Sequence, residues 1–106
     1  MAWLLLLAAG AFEIGWPLGF KLANTHPRHF WLFIALAAAS MTLSGVLLYL
    51  AQRTIPIGTA YVVWTGIGAI GTVLLGILCF DDAATPLRML FLSLILIGVI
   101  GLKIVH

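Results

Sequence analysis

Charge is scarce in this sequence. Only 8% of its 106 residues are Asp, Glu, Lys or Arg, against about 25% in soluble domains, and 64% are hydrophobic. That balance excludes an ordinary soluble domain and points to one small membrane domain covering residues 1–106. The five cations (Lys21, Arg28, Arg53, Arg88, Lys103) lie singly, so no basic stripe for nucleic acid exists. Cysteine is nearly absent. Cys79 alone excludes an internal disulfide and a zinc cluster, and it reads as a small buried side chain near a helix end. The opening run "MAWLLLLAAGAF" lacks the basic n-region of a signal peptide and is soon interrupted by an acid, so it reads as a retained first span.

What is present is apolar length. A membrane-crossing helix needs about 20 mostly apolar residues. Four stretches qualify: Ala2 to Leu22, Phe30 to Leu50, Ile57 to Phe80 and Pro86 to Val105. Between them lie only the links "ANTHPRH", "AQRTIP" and "DDAAT". In the last, Thr85 can cap the fourth helix while Pro86 fills its first turn, where a missing N–H costs nothing. The fold class expected is therefore an all-α integral membrane protein with four transmembrane helices. Orientation normally follows the lysine and arginine bias of the loops. Here Lys21, Arg28 and Arg88 flank one side, and Arg53 and Lys103 the other. That near-balance leaves two arrangements open: all copies pointing one way, or both orientations inserting so that two copies pair upside down.

Glu13 is the exception to the apolar first span. It sits near the middle of the span, where a charge is costly and hard to snorkel to either surface. No lysine or arginine lies at similar depth in any span. The carboxyl either keeps its proton or meets a cation from outside, and a group that alternates between the two is a proton–cation exchange site. The competing reading is a neutral acid hydrogen-bonded to a neighbouring helix.

Helical spacing places Leu6, Gly10, Glu13, Trp16, Pro17 and Phe20 on one face. Gly10 leaves room one turn before the acid. Trp16 offers an indole N–H and a π face able to hold a cation, or serves as packing. Pro17 has no N–H for the carbonyl of Glu13. That oxygen is open to water, a side chain or substrate, unless the proline only kinks the helix.

Other spans carry fewer polar groups. Ser40 and Ser44 stand one turn apart in the second, and either hydroxyl can reach a carboxylate or simply permit close packing. In the third span, "PIGTAYVVWTGIGAIG" lines up Tyr61, Trp64 and Gly68 above small residues that continue through Gly71. A deep tyrosine hydroxyl wants a partner, and an acid would serve. Gly98 and Gly101 in the fourth span lie on a face suited to tight helix contact. His26 and His29 read as a solvated loop in place of a metal site, and so do Asp81 and Asp82. No metal or cofactor is expected.

Together these features resemble the small multidrug resistance family of bacterial transporters, along the whole chain. "E-x-x-W" at Glu13 and Trp16, the Pro56 to Gly71 segment and "GLK" at Gly101 to Lys103 carry the resemblance. With Met41, Ala69 and Lys103 they are similar to the guanidinium-exporter branch rather than the quaternary-ammonium branch. The resemblance implies an antiparallel, dual-topology homodimer in the bacterial inner membrane. It would be no enzyme; it would export guanidinium and related small cations in exchange for protons. It further implies that Glu13 of both copies forms one shared site lined by Trp16, Ser44, Tyr61 and Trp64. Gly98 and Gly101 would lie in the helix that builds the dimer contact. Pro17 departs from the branch, which usually has a small residue there, and the first link is about two residues longer than in typical members. The rivals are a multidrug exporter for quaternary ammonium and other hydrophobic cations, and a non-transporting membrane subunit.

Overall fold

The computed structural model describes residues 1–105, and in them four helices follow one another in antiparallel succession. Helix α1 spans Ala2–Thr25, α2 Phe30–Ala51, α3 Ile57–Cys79 and α4 Pro86–Val105, with a 3-10 turn at Pro27–His29 between the first two. Each is long and apolar enough to cross a bilayer. At about 1.5 Å per residue, even the 20-residue α4 reaches about 30 Å, the thickness of the hydrocarbon core.

The helix ends have local causes. Helix α1 continues three residues past Leu22 because polar residues do not by themselves stop a helix; Thr25 Oγ1 donates to the Lys21 carbonyl at 3.0 Å, and His26 N–H reaches the Leu22 carbonyl at 2.8 Å. It stops where the residue before Pro27 leaves the helical region, with His26 at φ −129° and ψ 72°. Helix α3 ends one residue before Phe80. The N–H groups of Phe80 and Asp82 both close onto the Gly76 carbonyl at 3.0 Å, and Asp81 takes the left-handed conformation at φ 58°. Thr85 Oγ1 accepts the Arg88 N–H at 3.2 Å, capping α4 with Pro86 at its first position. Cys79 departs from its expected place. It is exposed in the last turn of α3, whereas Gly76 one turn earlier is buried.

Packing is uneven. Helix α1 lies against both α2 and α3, whereas the backbone of α4 approaches only α3, and its Lys103 Nζ reaches over the Trp3 ring of α1 at 5.5 Å from the centroid. One half of the bundle is closed by Leu6, Ala51, Ile55, Ala60 and Val63, with Trp3, Trp64, Ile67, Val99 and Leu102 against them. In the other half α1 and α2 approach through Gly19, which faces the Phe33 carbonyl and Ala37. Lipid is as apolar as leucine, so such close backbone approach supplies much of the association energy between spans. The Cα envelope measures 46 × 35 × 17 Å, a slab rather than a round bundle, and no described residue of α4 is buried.

Gly19 therefore sets the α1–α2 distance. A Cβ there would stand 2.9 Å from the Phe33 carbonyl oxygen and 3.0 Å from the Ala37 Cβ, neither of which can swing aside. Gly19→Ala is expected to destabilise the fold by about 1–3 kcal/mol, read from reversible unfolding in mixed micelles. Gly45→Ala, with nothing within 4 Å of its Cβ, is the matched control and should cost nothing. Equal stability of the two variants would contradict the packing.

Candidate functional site

Glu13 stands at the middle of α1, half-buried, and its carboxyl is held from its own helix. Trp16, three residues on, donates its indole N–H to Glu13 Oε1 at 2.5 Å. A donor three residues away on a helix is within easy reach, and a bond to a carboxylate is stronger than one between neutral groups. The Trp16 ring is steadied in turn by an edge contact with Phe20, centroids 5.7 Å apart. On the facing helix, Gly68 leaves the space that the Glu13 side chain fills; any Cβ at that position would collide with it. Gly71 does the same for Ile14, and Gly10 on α1 does it for Ile67. Small residues thus bring α3 against α1, with Gly68 admitting the acid itself.

One turn before Glu13 a second polar chain crosses all three helices. Trp64 of α3 donates its indole N–H to Ser44 Oγ at 2.7 Å, and Ser44 of α2 donates to the Ala9 carbonyl of α1 at 2.7 Å. The carbonyl of residue 9 is also the ordinary helical acceptor for the N–H of residue 13, so Ser44 and Trp64 grip the turn that carries the acid. Ser44 is almost fully buried, and it bonds this backbone oxygen rather than a carboxylate. Ser40 packs against Gly15 instead.

Tyr61 stacks obliquely on Trp64, ring centroids 5.6 Å apart, but is 55% exposed. It lines an apolar groove of about 490 Å³ between α3 and α4, together with Gly98 and Val99. The expected stripe therefore divides. Gly68 and Gly71 face α1, and Trp64 reaches through to α2, while Tyr61 faces the groove. Gly98 and Gly101 have nothing within 4 Å of the position a Cβ would take, so no tight helix contact runs through them within the chain.

The acid opens onto a cavity of about 280 Å³ lined by Glu13, Trp16, Pro17, Thr65, Gly68, Ala69, Thr72 and Val73. Thr65 and Ala69 also border the α3–α4 groove, so the two spaces adjoin. Among the described residues no cluster suited to a metal is present. A model of the Small Multidrug Resistance protein family matches residues 1–95.

The chain belongs to the small multidrug resistance family. Curated relatives agree over almost the full length. A guanidinium exporter of Citrobacter freundii is 46% identical over 104 residues, covering 98% of this chain and 97% of the relative. Another, from Yersinia pseudotuberculosis serotype I, is 46% identical and covers 98% of each. One from Salmonella typhimurium strain LT2 is 44% identical over 104 residues. The four spans and the family together make this a multi-pass membrane protein.

Two site-lining residues were missed at the level of sequence: Thr65 and Thr72. Their seven-residue separation, with Gly68 and Ala69 between them, marks one helix face, and that spacing was the signal available. They add hydroxyls to an otherwise apolar wall.

The link through Ser44 makes a direct prediction. In Ser44→Ala the Trp64 indole N–H loses its acceptor inside the bundle, a loss of about 1–3 kcal/mol, while Ser44→Thr keeps the hydroxyl. Unfolding midpoints should fall for the alanine variant and largely recover for the threonine. The Trp64 indole ¹⁵N–H resonance should move only in the alanine variant; an unmoved resonance would contradict the link.

Proposed function

We propose that this family member is a proton-coupled antiporter that exports guanidinium and related small guanidinyl cations, working as an antiparallel homodimer in the inner membrane. The observation that carries the reading is the Glu13 carboxyl at mid-span, held by Trp16 and open to a cavity, with no lysine or arginine at its depth. Relatives named guanidinium exporter, 46% identical along nearly the whole chain, support the substrate class.

The mechanism is competitive occupancy. A carboxylate left bare in lipid is costly, so it is neutralised by a proton or by a cation, and either occupant excludes the other. Guanidinium is planar, permanently charged and rich in donors, which suits bidentate pairing with a carboxylate. Trp16 orients the carboxyl, and its ring face can lie against a cation. Ser44 and Trp64 position the turn of α1 that bears the acid, and Tyr61 borders the adjoining groove. When substrate departs, protons replace it, and coupling needs nothing beyond that exclusion.

A second copy is supported by the slab shape, the unburied α4 and the open Gly98. Pairing two copies in opposite orientations would set two Glu13 carboxyls around one site. It would also make the inward- and outward-open forms related by symmetry, so that the gradients alone bias the traffic.

In proteoliposomes, Glu13→Gln should abolish guanidinium uptake driven by an opposing proton gradient, because the amide neither exchanges a proton nor balances a cation. Retained proton-driven uptake would overturn the reading. For the dimer, Gly98→Leu should find room within one chain yet disrupt pairing, seen as loss of cross-linked dimer in lipid. An undiminished dimer would place the contact elsewhere.

A further inference from the structure

Pro17 lies inside α1, one turn beyond Glu13, and the helix runs through it unbroken. In an α-helix the carbonyl of residue 13 points along the axis to the N–H of residue 17. Proline has none, and its ring pushes the carbonyl four residues back away from ideal geometry. The residue that lacks the N–H borders open space on two sides. Pro17 forms part of the wall of the cavity that holds Glu13 and Trp16, and also of a neighbouring cavity of about 180 Å³ reaching toward Lys21 and Asp82. Thr72 is the other residue common to both walls.

We propose that the backbone carbonyl of Glu13, deprived of its helical donor by Pro17, is a second acceptor for the bound cation, and that Pro17 thereby sets selectivity for cations with many N–H donors. The inference rests on the guanidinyl-cation reading of the site and deepens it. Guanidinium carries six N–H groups and no acceptor. A carboxylate that pairs with it in bidentate fashion uses two of them. The rest need oxygens, in a cavity whose other walls are glycine, alanine, valine and two threonines. A carbonyl one residue's length from the carboxyl supplies an acceptor on the same residue. The N,N,N′,N″ isomer of tetramethylguanidinium has the same charge but only two N–H groups, one on each of two nitrogens, and the carboxylate fork consumes both. It gains nothing from the carbonyl.

Glu13 is the only glutamate in the sequence, so cell-free synthesis with [1-¹³C]glutamate places one label, on this carbonyl. In lipid-reconstituted wild-type protein, guanidinium should shift the labelled infrared carbonyl band to lower wavenumber, and tetramethylguanidinium should not. Pro17→Ala restores an N–H at position 17. The band should then sit low before any addition and stay there, guanidinium affinity should fall roughly tenfold, the worth of one hydrogen bond to a charged group, and tetramethylguanidinium affinity should hold. A wild-type band that stays put while tryptophan fluorescence reports guanidinium binding overturns the inference and leaves the proposed function standing. So does an equal affinity loss for both cations in Pro17→Ala, the mark of a merely structural proline. Absence of guanidinium binding by fluorescence in the wild type overturns both.

Discussion

A carboxyl in the middle of a lipid-spanning helix, with no lysine or arginine at its depth, is the constraint around which this molecule is arranged. Such a group has to be neutralised and hydrogen-bonded to be tolerated. One bond comes from Trp16 on the same face of α1. Space comes from Gly68, which admits the side chain between α1 and α3. What remains open is one side of the carboxyl, facing a cavity. That opening is what the proposed exchange needs and a merely satisfied buried acid would lack.

The neighbouring turn shows how the backbone is kept in register. Trp64, Ser44 and the Ala9 carbonyl form a chain of two hydrogen bonds that links α3, α2 and α1 at one level. Directional bonds count for more where apolar burial no longer drives association. A displacement of either α2 or α3 breaks this chain and moves the turn that carries Glu13. On the proposed mechanism the acid is thus tied to helix position, as a carrier that alternates its exposure requires. Toward its other end the same turn is loosened by Pro17. Firm on one side and relieved on the other, the acid sits between a clamp and a gap.

Much of this was legible from residues alone, for reasons that differ by element. Four apolar stretches with short links leave one architecture, since lipid requires each backbone to satisfy itself. The Glu13–Trp16 bond follows from three-residue spacing within one helix. The partner of Ser44 does not follow, because it depends on the rotation of α2 against α1, which no local pattern encodes. Tyr61 shares a nominal stripe with Trp64 and Gly68, yet opens onto the α3–α4 groove, since a broad helix face can meet two neighbours. Cys79 lies exposed because burial in a helix's last turn is decided by which face meets a neighbour, not by residue type.

Competition between proton and cation for one carboxyl is the central claim, and proton release on binding measures it most directly. Guanidinium added to purified protein in weakly buffered detergent should expel protons, detected with a pH indicator. The release should disappear in Glu13→Gln. Guanidinium binding with no proton release from the wild type, or equal release from the variant, would contradict the account.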